Sequence, residues 1–375
     1  MSAVLFVILG ICLFWGAKIC KRKEWNEDVL SFAQTKSFLG FCALIIILHH
    51  CSHKTCAPWL IPFRIVHGLD FFVFAGYLCV AVFFFCSGYG MYTAFSQKEG
   101  FFKGYHKRII KILIPAVVMW LAFYFVEKSK GMWIEKPIWI NTYSYIWYIP
   151  ALLYLYLIFY LSFHLIKNDK IRVATVIAGT FVYFVFSMFF SPGTWWYNTH
   201  HLFVAGIITA RHKEKIISFF KKGYPFWVVI SFVITYVGFV ASNYYYPVMI
   251  ALGFKADELS HFITELTGQV ISAFSFVVFV MLIGMKIKVG NKFLLFLGSF
   301  TLEIYLVHPM FVELFAYAFI QDSARSLYHI RNPFLYALVV SVIALPLAFI
   351  LNRVTGMIVN GKSKGSKNIN LESKG

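Results

Sequence analysis

Three short stretches of this sequence carry side chains that could do chemistry. The first runs from Gln34-Thr35-Lys36 through an apolar segment to Leu48-His49-His50-Cys51-Ser52-His53. On an α-helix Lys36 and His50, fourteen residues apart, share a face about 21 Å apart along the axis, while His49 points elsewhere. An imidazole at one end of a helix and a cation at the other could mark a path through a membrane. The bland alternative is that His49, His50 and His53 cap the helix among lipid headgroups. A His-only metal site is a third option, but no acidic or Cys side chain stands at ligand spacing, so no metal is expected. The second stretch is Lys103-Gly104-Tyr105-His106-Lys107-Arg108-Ile109-Ile110-Lys111, ending at Pro115. Lys107, Arg108 and Lys111 fall on adjacent faces of a helix, a patch able to grip the phosphates of a nucleotide-bearing ligand or simply to anchor a span. The third is Gly298-Ser299-Phe300-Thr301-Leu302-Glu303-Ile304-Tyr305-Leu306-Val307-His308-Pro309. Glu303 and His308 are ionisable groups in an apolar run. A carboxylate at mid-membrane costs roughly 2.5–3.5 kcal/mol on insertion scales, so a functional or pairing role is the default expectation unless Glu303 snorkels to an interface. Asp70 and the pair His200-His201 are weaker signals of the same kind.

The elements that must position these groups are membrane helices. Of 375 residues, 60% are hydrophobic and only 13% charged, about half the charged fraction of an ordinary soluble domain. Apolar runs long enough to span a bilayer recur from end to end. Spans are expected at about 2–19, 37–50, 69–95, 109–126, 143–166, 172–190, 199–210, 225–242, 267–285, 293–318 and 334–351. That is an all-α, polytopic transmembrane bundle of 10 or 11 helices. The expected organisation is an extra N-terminal anchor over 1–20, one membrane domain over 21–352 and a disordered cytoplasmic tail over 353–375.

The net charge of +18 does not indicate nucleic acid, because the cations sit in short clusters between apolar runs. Alternating the spans from an outside N-terminus puts 26 of the 34 Lys and Arg residues on one side, which the positive-inside rule makes cytoplasmic. Trp133, Trp139, Trp195, Trp196 and Tyr244–Tyr246 then fall at the outer interface. The seven cysteines are scattered, mostly within spans; a Cys51–Cys56 disulfide is conceivable on spacing alone.

Five of these segments, in order, resemble motifs of the membrane-bound acyltransferase family 3, the O-acyltransferases of bacterial polysaccharides. Leu48-His49-His50 is similar to the close of the family's opening helix. Val82-Phe83-Phe84-Phe85-Cys86-Ser87-Gly88-Tyr89-Gly90 resembles its FF-x-x-SG segment, and Lys107 to Pro115 its R-x-x-R-i-x-P segment. Trp147-Tyr148-Ile149-Pro150-Ala151-Leu152-Leu153 is similar to its W-F-x-x-A-L-L helix start, and Gly298 to His308 to its G-x-x-S-x-x-I-Y-L-x-H helix. The resemblance implies a multi-pass protein of a bacterial plasma membrane. It would move an acyl group, acetyl by expectation, from cytoplasmic acyl-CoA to a hydroxyl of an extracytoplasmic glycan or related acceptor. His50 would be the catalytic base or acyl carrier, with Lys36 and Glu303. Lys107, Arg108, Lys111 and Arg211 would hold the donor's phosphates, and His49, Ser87, Tyr305 and His308 are further candidates.

One departure matters. The family places a basic residue eleven positions before its catalytic His, and that position here is Leu39. Lys36, one turn lower, would have to substitute along its flexible stem, or the chain is a catalytically silent scaffold. A transporter or flippase of a lipid-linked saccharide is the rival from another class; it would call for paired broken helices from an internal repeat, and no such repeat is found.

Overall fold

The computed structural model of the chain describes residues 2–60, 64–65, 68–129, 144–191, 193–255, 257–316 and 330–361. Trp133, Trp139 and the tail beyond Gly361 lie outside them. Within them the chain is helical: α1 (Ser2–Phe14), α2 (Phe32–His53), α3 (Gly76–Gln97), α4 (Tyr105–Ser129), α5 (Tyr148–Leu165), α6 (Asp169–Phe190), α7 (His201–Arg211), α8 (Lys213–Lys221), α9 (Tyr224–Asn243), α10 (Tyr245–Ala251), α11 (Glu258–Gly284), α12 (Lys292–Gly298), α13 (Thr301–Phe315) and α14 (Pro333–Asn360). Two two-residue strands, β1 (Lys18–Ile19) and β2 (Ile287–Lys288), pair antiparallel. Helix starts follow local chemistry: Ser31, Asn168, Asp257, Asn291 and Asn332 each accept hydrogen bonds from first-turn backbone N–H groups of α2, α6, α11, α12 and α14, groups that have no partner inside the helix.

Among the described residues eight helices are long and apolar enough to cross a membrane: α2, α3, α4, α5, α6, α9, α11 and α14. A ninth span arises if α12 and α13, bent by 80° at their junction, are taken together. Two of the expected spans, 2–19 and 199–210, fall on helices too short to be counted by that measure. Helix α1 has 13 residues and α7 has 11, about 20 and 16 Å long, against a hydrocarbon core of about 30 Å. The reason at α7 is that the preceding chain is irregular yet buried: Tyr197, Asn198, Thr199 and His200 are nearly inaccessible. Two of its side chains donate to partners inside the protein, Thr194 to Glu265 at 2.9 Å and the Asn198 amide to Gln269 at 2.8 Å. Non-helical backbone is tolerated at such depth only where protein surrounds it.

The basic loops gather at one end of the bundle. Lys221 pairs with Glu27 at 3.1 Å and Arg211 with Asp169 at 2.6 Å. The Arg172 guanidinium lies 5.2 Å over Phe95, and the Lys286 ammonium donates to the carbonyl of Arg22 at 3.0 Å. Lys288 beside the exposed Asp28 holds that carboxyl below its ordinary range. At this basic end α1 is tied in by β1 and by the Asn291 side-chain amide on the Cys12 carbonyl (2.8 Å). Its Phe6 ring packs on Phe71 and Phe72.

Three helix pairs are built on reciprocal glycine contacts. A Cβ on Gly40 of α2 would lie 2.2 Å from the Leu294 carbonyl of α12, and one on Gly298 would lie 1.9 Å from the Lys36 carbonyl. Gly88 of α3 and Gly206 of α7 meet the Phe203 and Phe85 carbonyls in the same way, as do Gly238 of α9 and Gly268 of α11 with each other. In lipid, where apolar surface alone does not drive helices together, such close backbone approach supplies packing energy. Gly88→Ala is expected to abolish the monodisperse folded peak in detergent size-exclusion despite alanine's better helix propensity, about 1 kcal/mol. Gly90→Ala, which adds its Cβ into open space, is expected to leave that peak unchanged or raise it.

Candidate active site

Two polar layers occupy the bundle interior, one at each end of α2. At the basic end a cavity of about 750 Å3 is lined by Lys36 and Leu39 of α2, Cys86 and Ser87 of α3, Arg108 of α4, Tyr148, Leu152 and Tyr156 of α5, Lys213 of α8, and Thr301 and Tyr305 of α13, with Lys98 at its rim. Ser87 hydrogen-bonds Tyr156 through their hydroxyls at 3.0 Å, and Tyr105 donates to the Tyr156 carbonyl at 2.9 Å. The Arg108 guanidinium lies 4.9 Å over the Phe101 ring. Lys36 faces the cavity with its ammonium 5.8 Å from the Phe32 ring centroid; none of the ion pairs among the described residues includes it. Leu39 lines the same cavity one turn along the helix from Lys36.

Glu303, only 4% exposed, accepts from the Asn352 amide at 2.9 Å and lies within electrostatic reach of Lys36. Its partner Asn352 stands on α14 beside Arg353, where the long apolar run of that helix ends. Lys107 and Lys111 are exposed on α4 and do not line the cavity, and Arg211 is engaged by Asp169. Lys213 and Lys98, not singled out from sequence, stand with Arg108 instead.

At the other end of α2 the three histidines diverge. The His49 Nδ1–H donates to the Phe72 carbonyl (2.9 Å) and the His53 Nε2–H to the Val73 carbonyl (2.8 Å). Both thereby pin the 310 turn Asp70–Phe72 that leads into α3. Gly76 leaves room for this, since a Cβ there would lie 2.3 Å from the His49 ring. His50 alone turns inward: its Nδ1 is 2.6 Å from Nε2 of His308, with the two rings nearly parallel at 9°. The His308 Nδ1 is 2.6 Å from the Ile304 carbonyl. The Tyr145 ring stands edge-on to His50 at 4.8 Å, and its hydroxyl donates to Glu313 at 2.8 Å. Lys54 pairs with the same Glu313 oxygen at 2.6 Å. Glu313 escaped the sequence reading although it carries the same signal as Glu303, a carboxylate in an apolar helix.

The remaining candidates are structural. Asp70 is exposed and accepts from the Gly68 N–H at 2.9 Å. His200 sits between the Tyr197 and Thr180 carbonyls. Cys51 and Cys56 are free thiols, the Cys56 sulfur accepting from the Leu69 N–H at 3.3 Å. Among the described residues no three His, Cys, Asp or Glu side chains are grouped to hold a metal ion.

The layers are separated by aromatic rings. Tyr305, at the inner end of the cavity, packs 5.3 Å from Tyr148 and 6.4 Å from the His308 ring, and its hydroxyl donates to the Tyr145 carbonyl. One side-chain layer thus stands between the cavity and the His50–His308 pair.

The sequence model of the acyltransferase 3 family, described as an acyltransferase domain, matches residues 40–353. No curated protein and no solved structure gives a significant match. Because His49 serves the Phe72 carbonyl, His49→Ala is expected to lower stability by roughly 1–3 kcal/mol through an unpaired buried acceptor. The check is a detergent thermal melt: His49→Ala melts clearly below wild type and below Lys36→Ala.

Proposed function

The chain belongs to the acyltransferase 3 family and is a multi-pass membrane acyltransferase, and from its two polar layers we propose that it carries an acetyl group from cytoplasmic acetyl-CoA to a hydroxyl of an extracytoplasmic glycan. The observation that supports this most is the placement of Lys36, Arg108 and Ser87 in one cavity that stops a single aromatic layer short of His50. The excess of Lys and Arg at the cavity's end of the bundle supports a cytoplasmic mouth, hence an outside N-terminus and an inside C-terminus, in a bacterial plasma membrane.

Arg108, with Lys213 and Lys98, would take the phosphates of the nucleotide moiety, charge-assisted contacts that a guanidinium makes with two parallel N–H bonds. The pantetheine arm would follow Leu39 and Tyr156 inward, and Lys36 would balance charge in the bundle beside Glu303. Tyr148, Leu152 and Tyr305 line the cavity, and a short acyl group would sit against them. Tyr305 must swing from the Tyr145 carbonyl to let the thioester meet the histidine pair. The acceptor hydroxyl would come from the opposite end, where His50 is half-buried. Its oxygen attacks the thioester carbonyl carbon as its proton passes to an imidazole nitrogen of His50; the C–S bond breaks and the CoA thiolate leaves, taking that proton. No redox partner is needed.

Acetyl-CoA consumption by membranes holding equal amounts of each variant tests this. His50→Ala is expected to lose turnover by a factor on the order of a hundred or more. Arg108→Ala should keep kcat but raise KM for acetyl-CoA about tenfold, equivalent to about 1.4 kcal/mol. Turnover unchanged in His50→Ala, or acetyl-CoA neither bound nor consumed by wild type, would overturn the reading.

A further inference from the structure

Resting on that reading, we propose that His308 is a positioning residue that holds His50 in one tautomer, with the Nε2 lone pair presented to the acceptor hydroxyl. The donor and acceptor roles follow from a chain of two contacts. A carbonyl oxygen only accepts, so the His308 Nδ1, 2.6 Å from the Ile304 carbonyl, carries a proton. His308 is fully buried in α13, and a cationic ring there would be an uncompensated charge in an apolar setting, because the carboxylate of Glu313 is already paired with Lys54. The ring is therefore neutral and its Nε2 is an acceptor. His50 Nδ1, 2.6 Å from that Nε2, must then be the donor. One proton remains for each ring, and both are spent, so the His50 Nε2 is left as a lone pair.

The arrangement does for His50 what an orienting acceptor does for any imidazole base. It fixes which nitrogen is basic and which way the ring faces, and it offers the developing imidazolium an acceptor for its N–H. When the acceptor hydroxyl gives its proton to Nε2, the positive charge that forms on His50 is shared through the Nδ1–H with the His308 nitrogen; it is discharged when the leaving CoA thiolate takes the Nε2 proton. Both nitrogens of His308 are then occupied by protein, one by Ile304 and one by His50, so His308 never touches substrate.

Two paired readouts test this. In acetyl-CoA turnover at matched protein level, His308→Leu is expected to lower kcat by a factor on the order of a hundred with KM for acetyl-CoA changed less than about twofold. His308→Gln, whose side-chain carbonyl can accept from the His50 Nδ1–H, is expected to recover at least about tenfold of that loss. A His308→Leu enzyme within about threefold of wild-type kcat, or a Gln variant no better than Leu at equal folded yield, would overturn the assignment. Independently of turnover, carbethoxylation by diethyl pyrocarbonate, mapped by mass spectrometry against the exposed His106 as reference, reports the His50 lone pair. His50 is expected to react several-fold more slowly in His308→Leu than in wild type or His308→Gln, while equal rates in all three would overturn the proposal. A wild type that is carbethoxylated at His50 as expected yet consumes no acetyl-CoA would count against the acyl-CoA reading and leave the histidine pair standing.

Discussion

The close crossing of α2 over α12 sets everything else. With Gly40 against the Leu294 carbonyl and Gly298 against the Lys36 carbonyl, the two backbones touch, and no side chain fits at either position. The 80° bend that follows Gly298 turns α13 away from this contact and carries the chain from the level of Lys36 to that of His50. Glu303 and Tyr305 therefore come to the basic-end layer and His308 to the histidine layer, all on one helix facing α2. If the crossing slipped by one turn, about 5.4 Å, the 2.6 Å contact between His50 and His308 would be lost.

The same economy governs the polar groups. In hydrocarbon an unpaired donor or acceptor costs several kcal/mol, and nearly every ionisable side chain in the interior has a named partner. Glu303 has Asn352, Glu313 has Lys54 and Tyr145, His49 and His53 have the carbonyls before α3, and His308 has Ile304 and His50. His201 keeps a buried Nε2 without a hydrogen-bond partner, and Lys36, a cation at the wall of a cavity, lies outside the ion pairs of the described residues. A cation left this way in an apolar bundle is where a charged or polar ligand is expected, and it lies on the same wall as Arg108.

Much of this could be read from residue order. Hydropathy and the clustering of Lys and Arg located the spans, because in lipid only a long apolar helix satisfies its own backbone. Helix periodicity placed Lys36 and His50 on one face. At 199–210 a short helix and a buried irregular segment together stand where one long helix stands elsewhere, and at 293–318 the span is bent by 80° between α12 and α13, details that hydropathy windows do not carry. The site was half legible. Arg108, Ser87 and Tyr305 do meet Lys36, but Lys107, Lys111 and Arg211 share only its neighbourhood, since whether a cation at a helix end faces a cavity, solvent or an aspartate depends on tertiary packing. The pairing of His50 with His308 joins residues 258 apart, a relation that spacing along one helix cannot reveal. Membership of the acyltransferase family sets aside the transporter alternative and gives the motif residues a physical meaning: Gly88 and Gly298 are packing contacts, whereas Ser87 lines the cavity.

The central claim is that the cavity and the histidine pair are two ends of one path through the membrane. Its most direct measurement is an experimental structure of the chain in lipid with coenzyme A bound. The expected density enters at the basic end, with phosphates at Arg108 and Lys213 and the thiol at Tyr148 and Tyr305, below His50. Density at the histidine end, or at the lipid-facing surface with the cavity empty, would contradict the account.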